Sequence, residues 1–447
     1  MVNNILFIII DTLRADKIND ENRTCKTPNI DKLISNGVNF TQATCSVHAT
    51  ISSLGSLFSS KWSFKTGLGG KRYDQMNFYV DNYFKIISFN KYNIFTIIPE
   101  VISDLGFFKN VEKNKTTYPS FERLNDGLGE KILKIFNKMK TTEPWFCYVH
   151  LNDLHSPVIA PKSVDNKKFG KNQYDRTLSF IDLWIGKILE KIDLQNTIVI
   201  LTSDHGQNTR TSEFEPTNLQ KMYWRIDRKI PDIIEPLKSS IFSYIKTKKN
   251  QKMLKKLKSQ NYSSEKIRTK IDARNKEIPD VYDDVIRIPL ILSGGNLPKG
   301  KKFKHQVNHI DIFPTIEQLA EFTKTLDNPD GRSLVDLING KTFEEKPVYI
   351  ESPPRRSERD SHVIGIRTPE FKYFRDINEP MKMIHLYNLK LDPNETKNIA
   401  LESPNILEKM EQKLQEIISA KSDKQNQSMK PKDVKKIEKE LRKLGYL

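Results

Sequence analysis

Short apolar runs recur along this chain, and several of them stop abruptly at charged residues. Ile5 to Ile10 runs into Asp11-Thr12-Leu13-Arg14-Ala15-Asp16, and Thr197 to Leu201 runs into Ser203-Asp204-His205-Gly206. Runs this short and this uniformly apolar predict strands buried on both faces, as in a parallel sheet. Phe146 to Leu151 reads the same way. From Tyr174 to Leu194 the period changes to that of a helix, with Leu178, Ile181, Ile185, Ile188, Leu189 and Ile192 on one stripe. Strand, helix and strand in that order imply a parallel crossover. Thr27-Pro28-Asn29-Ile30-Asp31-Lys32-Leu33 has the form of a capped helix start with proline just inside it. After Gly206 the rhythm is lost until Val285-Ile286-Arg287-Ile288-Pro289-Leu290-Ile291-Leu292, which predicts another core strand, so 207–280 reads as an insert. Val348-Tyr349-Ile350, Val363 to Ile366 and Ile384 to Tyr387 predict a small antiparallel sheet, followed by a helix from Asn405 to about Ala420. The expected fold is α/β. A large, mostly parallel sheet sandwiched by helices occupies 1–340, and a small C-terminal antiparallel α+β subdomain occupies 341–447.

Composition narrows this picture. The chain has 447 residues, 37% of them hydrophobic, with a mean hydropathy of -0.58. No apolar run approaches the ~18 to 20 residues that a membrane helix needs. The stretch at Ile5 to Ile10 has neither a basic flank nor a small-residue cleavage site, so it reads as a first strand and not as an export signal. Cys25, Cys45 and Cys147 are scattered and give neither a disulfide framework nor metal-ligand spacing, which makes the reducing cytoplasm the expected location. The net charge of +17 would suit a nucleic-acid partner, but the excess is local. Between Lys246 and Lys276, twelve Lys and Arg face only Glu265 and Asp272. That segment, with Met253, Leu254 and Leu257 at helical spacing, is either a basic lid over an anionic polymer or a solvated helical hairpin. Nucleic acid is not the expected partner.

The chemistry sits where the strands stop. A carboxylate just past a buried strand lies in the crevice where open α/β sheets collect ligands, and two such strands can bring Asp11, Asp204 and His205 onto one ion. An isolated Asp-His-Gly means little. Flanked by a strand and joined to a partner Asp at the end of another, it reads as a ligand set. The hydroxyl-rich run Ala49-Thr50-Ile51-Ser52-Ser53-Leu54-Gly55-Ser56-Leu57-Phe58-Ser59-Ser60 supplies candidate nucleophiles.

With those pieces in view, the chain resembles the sulfatase family of the alkaline phosphatase superfamily. The matching motifs are Ile8 to Asp16, then Thr27 to Leu33 with Gly37-Val38-Asn39-Phe40-Thr41, and Ser203 to Gly206. Ile286 to Ile291, His309-Ile310-Asp311-Ile312-Phe313-Pro314-Thr315, Leu386 to Thr396 and the terminal Leu441 to Leu447 follow in the family's order. The resemblance covers nearly the whole chain except the insert, and it implies an alkaline-phosphatase-like fold.

The family's sulfatases use a cysteine in a C-x-P-x-R setting that is converted to formylglycine, and Cys45 invites that reading. Yet the family's nucleophile lies about ten residues past the Phe of the Gly-Val-x-Phe piece, which here is Thr50, with Ser52 and Leu54 in place of Pro and Arg. The resemblance therefore implies a metal-dependent hydrolase of phosphate or sulfate esters, in which Thr50 attacks and forms a covalent intermediate. Phosphate is favoured, because the formylglycine hydrate gives sulfate esters an exit that plain threonine lacks. His155, in His150-Leu151-Asn152-Asp153-Leu154-His155-Ser156-Pro157, matches the family's His-x-Pro loop and would protonate the leaving oxygen; a loop histidine bonded to backbone is the plain alternative. His150, inside an apolar run, reads as a core histidine. Arg14 would steady Thr50 or the anion, or pair with Asp16 or Asp31.

Asp11, Thr50, Asp204 and His205 are then the metal ligands. Thr12 stands where the family usually has a second Asp, and His205 replaces Asn, so Mn²⁺ or Zn²⁺ is favoured over Ca²⁺ or Mg²⁺. A second metal would need Asp153, His155 or His309. Family members carry a His or Lys against the anion just before Tyr282-Asp283; Lys276 or the insert would have to replace it. The expected partner is an anionic ester, glycan-linked in one version, with the oligomeric state open. Two other readings remain: a transferase of phosphate-linked groups in glycan or envelope assembly, and a polyanion binder that has lost catalysis.

Overall fold

In a computed structural model, the chain is described over residues 4–66, 82–103, 107–108, 111–139, 142–209, 279–353 and 362–419, with 213, 215–218, 221, 256 and 259 between them. The first sheet has eight strands in the order β4-β3-β5-β1-β6-β7-β2-β8. These are β1 (Asn4–Ile10), β2 (Gly37–Thr44), β3 (Asn93–Pro99), β4 (Lys115–Tyr118), β5 (Trp145–Leu151), β6 (Thr197–Thr202), β7 (Leu290–Gly294) and β8 (Lys301–Asn308). Every neighbour pair is parallel except the two made by β7, which runs against both β6 and β2. The mostly parallel α/β sheet expected from the apolar runs is therefore present.

β1 lies in the middle and is buried along its whole length. Because successive side chains point to opposite faces, its residues divide between two cores. Ile5, Phe7 and Ile9 join the cluster that includes Phe58, Tyr148 and Phe313, while Leu6, Ile8 and Ile10 pack with Leu178, Ile181 and Ile185 of the Gln173–Leu189 helix. That helix leads from β5 to β6, and the two strands flank β1 in parallel, which is the predicted crossover.

The strand expected over Val285 to Leu292 is a correction. Asp283–Ile286 is one helical turn, and the strand begins only at Leu290. Asp283 and Asp284 favour a helix N-terminus, and Pro289 cannot donate to a ladder. The run stays buried in either conformation, so apolar periodicity alone could not separate them.

A second sheet, β12-β11-β10-β9, is antiparallel throughout: β9 (Val348–Ser352), β10 (Val363–Arg367), β11 (Phe371–Asp376) and β12 (His385–Asn388). The Pro404–Ser419 helix covers it with Met410 and Leu414. The loop after β2 joins the two sheets, where Glu351 N–H donates to the Ser46 carbonyl at 2.8 Å. The basic segment between Lys246 and Lys276 lies outside the described residues apart from Lys256 and Ser259.

Candidate active site

The register of the sheet brings the two acidic tips together. Ile9 pairs with Thr202 across β1 and β6, so Asp11 and Asp204 leave the same end of adjacent strands. The turn after β1 then locks onto the other tip. Thr12 N–H donates to Asp204 Oδ1 (3.2 Å), Leu13 N–H donates to Ser203 Oγ (2.9 Å), and the Thr12 carbonyl accepts from Tyr174 (2.7 Å). Thr12 holds φ at +61°, in the left-handed region that β-branched residues avoid.

Asp11, Asp204 and His205 each offer one ligand atom, and these atoms lie within 4.8 Å of one another. The donor set fits a divalent ion on two grounds. Asp11 Oδ1 and Asp204 Oδ2 are buried and receive no hydrogen bond among the described residues. His205 Nδ1 lies 2.8 Å from the Gly206 carbonyl, which can only accept, so Nδ1 carries the proton and Nε2 presents a lone pair. Two buried carboxylates this close repel unless a cation joins them. Burial pushes Asp204 up, and the charge of Asp11 pushes it further. Burial also works against an ionised Asp11, but the close approach of His150 and the nearby imidazoles of His155 and His205 outweigh it and hold that carboxyl below its ordinary range.

Thr50 opens the Thr50–Ser59 helix, all of whose residues are buried, after Ala49 in extended conformation. Its Oγ1 lies 3.3 Å from His205 Nε2, and with that nitrogen unprotonated the hydroxyl is the donor. Ser53 Oγ, one turn on, donates to the Asp204 carbonyl at 2.6 Å and fastens the helix to the loop that carries Asp204 and His205. Cys45 and Leu54 belong to the core instead. The Cys45 thiol is pushed up by burial and by the nearby Asp204, so it stays protonated.

Arg14 makes the ion pair with Asp16. Its Nε and Nη2 donate to the two oxygens of Asp16, each at 2.8 Å, and Nη1 reaches the Gln207 carbonyl (3.3 Å) and Thr209 Oγ1 (2.7 Å). It clamps the loop after β1 to the loop after β6. Asp31 is paired with Arg23. His155 is buried beyond the end of β5, and its field reaches Asp11. Asp153 Oδ1 accepts from Leu124 N–H (3.0 Å), and His309 is buried and held to about 4 by desolvation, hence neutral. Neither belongs to the three-residue group of ligands found among the described residues. Lys276 lies outside those residues.

Two features escaped the sequence. His150, expected as a core histidine, is fully buried, but its Nε2 faces Asp11 Oδ2 at 3.6 Å. The signal that could have found it is its position next to the C-terminal end of a strand paired with β1. His48, two residues before Thr50, has Nε2 3.5 Å from Asp280 Oδ2, both groups being buried. No local pattern connects residues so far apart.

A family model for sulfatases matches residues 3–322. The chain belongs to the sulfatase family. A second model, for the C-terminal part of N-sulphoglucosamine sulphohydrolase, matches 278–422. Among curated relatives, arylsulfatase K of Mus musculus is 22% identical over 306 residues, covering 65% of this chain and 52% of that protein. The chain thus spans about half the length of the curated relatives it matches. Solved sulfatase-like structures share the fold. A 2-O GAG sulfatase aligns with a TM-score of 0.65 at 16% identity, covering 97% of this chain and 96% of the other. The phosphonate monoester hydrolase of Agrobacterium radiobacter aligns with a TM-score of 0.63 at 14% identity, covering 96% and 100%.

Proposed function

We propose that this sulfatase-family chain hydrolyses phosphate or sulfate esters, phosphate first, with Thr50 as the nucleophile. The observation that carries the reading is the Thr50 hydroxyl, 3.3 Å from His205 Nε2 and at the N-terminus of a buried helix beside two carboxylates, each with one buried oxygen that receives no hydrogen bond among the described residues. A divalent ion held by Asp11, Asp204, His205 and Thr50, with Mn²⁺ or Zn²⁺ favoured by the imidazole, would stabilise the Thr50 alkoxide and polarise the ester. The Thr50 hydroxyl releases its proton to solvent, its Oγ attacks phosphorus or sulfur in line, and the bond to the leaving oxygen breaks. His155 gives that oxygen its proton. Backbone N–H groups at the start of the helix face the anion and favour its negative charge. Water then cleaves the O-phospho or O-sulfo threonine and frees the hydroxyl. Likeness to a 2-O GAG sulfatase supports a glycan as one carrier of the ester.

The test compares wild type, Thr50→Ala and Asp204→Ala on aryl phosphate, phosphodiester and aryl sulfate with Mn²⁺, Zn²⁺, Mg²⁺ or Ca²⁺. Each variant should lose turnover by roughly a thousandfold or more, as removal of a nucleophile does elsewhere. The peptide containing Thr50 should carry the phospho or sulfo group in quenched wild-type reactions. Full metal-dependent turnover by Thr50→Ala would refute the nucleophile.

A further inference from the structure

We infer that His150 is a positioning residue for the metal centre: its Nε2–H holds Asp11 Oδ2, and the Tyr148 hydroxyl fixes the tautomer that makes this possible. The inference rests on the metal-site reading above and concerns only this chain's own side chains. β5 runs parallel to β1 with His150 opposite Ile9, so the imidazole lies beside the carboxylate that follows Ile10. It is shut off from solvent, as is Tyr148, whose oxygen is 2.8 Å from His150 Nδ1.

Two neutral tautomers can be weighed. If Nδ1 carried the proton, it would donate to Tyr148, and a bare Nε2 lone pair would face the Asp11 oxygen 3.6 Å away. Two acceptors would then oppose each other in a dry interior, at the full cost of an unmade hydrogen bond. If Nε2 carries it, the Tyr148 hydroxyl donates to Nδ1 and Nε2–H points at Asp11 Oδ2, so a donor faces an acceptor at both nitrogens, although Nε2 stands just beyond hydrogen-bond length from its acceptor. A small rotation of the carboxylate brings the 3.6 Å contact to hydrogen-bond length.

The same arrangement accounts for the division of labour on Asp11. Oδ2 is turned to His150, while Oδ1, buried and without a hydrogen bond among the described residues, is left for the cation. A direct ligand role for His150 does not fit, because the group of ligand atoms that converge is Asp11, Asp204 and His205. Groups that orient a metal ligand from behind typically change metal affinity by about 10–100-fold when removed.

The experiment is calorimetric titration of the metal-free 447-residue chain with Mn²⁺, comparing wild type with His150→Leu, His150→Gln and Tyr148→Phe. Melting without metal controls for the fold. His150→Leu should weaken Mn²⁺ about 10–100-fold. His150→Gln, whose amide N–H reaches the position of Nε2–H, should recover most of that loss. Tyr148→Phe, which leaves the tautomer free, should fall between wild type and His150→Leu. If His150→Leu does not fold, the other two variants carry the test. Wild-type affinity in His150→Leu, or a glutamine variant as weak as the leucine one, overturns the inference while the metal site stands. Wild type that takes up no divalent ion overturns the metal site and this inference together.

Discussion

Thr12 shows what a single position can set in this site. It stands where the family resemblance leads one to expect a second aspartate, and it is held at φ +61° by its N–H on Asp204 and its carbonyl on Tyr174. A left-handed conformation costs an ordinary residue about 1–2 kcal/mol, and Asp or Asn tolerates it better than threonine. Thr12→Asp should therefore be accepted by the backbone and add a third carboxylate beside Asp11 and Asp204. One more charge near 4 Å contributes on the order of 1 kcal/mol even in high dielectric, roughly fivefold in affinity, and hard cations gain most. Calorimetric titration of Thr12→Asp should show Ca²⁺ bound more tightly than by wild type by about that factor. An unchanged Ca²⁺ affinity would show that residue 12 does not face the ion. At this scale the sequence was readable where a candidate group sat in one local word, Asp11 after an apolar run and Asp204-His205-Gly206 after another, whereas the hydroxyl-rich run offered several candidates and only the register of the family resemblance singled out Thr50. It was silent on His150 and on the His48–Asp280 pair, because both depend on which strands and loops become neighbours.

Between elements, Gly206 governs how the ligand loop meets the Asp283–Ile286 turn. Its N–H donates to the Val285 carbonyl at 2.6 Å, and Gln207 N–H donates to that of Asp284 at 3.2 Å. A Cβ on Gly206 would lie 2.5 Å from the Asp284 oxygen and 3.0 Å from that of Val285, both backbone atoms that have little room to yield. Gly206→Ala must push the turn away from His205. We expect a loss of about 1–3 kcal/mol in urea unfolding, together with weaker Mn²⁺ binding. Loss of stability with full metal affinity would show that the turn and the ligand loop move independently. The same turn marks where element reading failed. β1, β5 and β6 were legible because they are buried on both faces and written in unbroken apolar residues. β8, with Lys301, Lys302 and Lys304, carries charge on exposed positions and gave no run to find. The 283–292 stretch is apolar enough to hide in any conformation, and only Pro289 and the two acids at its start distinguish the turn from the strand.

Across the whole molecule, a buried charge network ties the second sheet to the first. Arg367, at the end of β10, donates to both oxygens of Asp283 (3.0 and 2.8 Å), to Gln306 of β8 (2.7 Å) and to Gln42 of β2 (3.1 Å). Lys372 of β11, fully buried, bridges Asp283 (2.5 Å) and Glu395 (2.7 Å). Replacing the lot with apolar groups could be neutral, but removing one partner strands a buried charge, which typically costs about 3–5 kcal/mol. Lys372→Met should show that loss in urea unfolding at pH 7. The network also sets the response to acid. Burial alone would raise Asp283, but the charges of Arg367 and then Lys372 outweigh it and hold the carboxyl far below its ordinary range. An unfolded aspartate takes up its proton near pH 3.9, while the folded one resists to lower pH. Its contribution is therefore complete above about pH 4 and drains away as pH falls below that value. Wild-type unfolding free energy should drop steeply on the acid side of pH 4. Asp283→Asn, less stable than wild type at pH 7, should have a shallower acid limb, so that the two curves converge as the pH falls. Parallel limbs would mean that other carboxylates carry the acid sensitivity and that the joint between the sheets does not depend on the ionised Asp283.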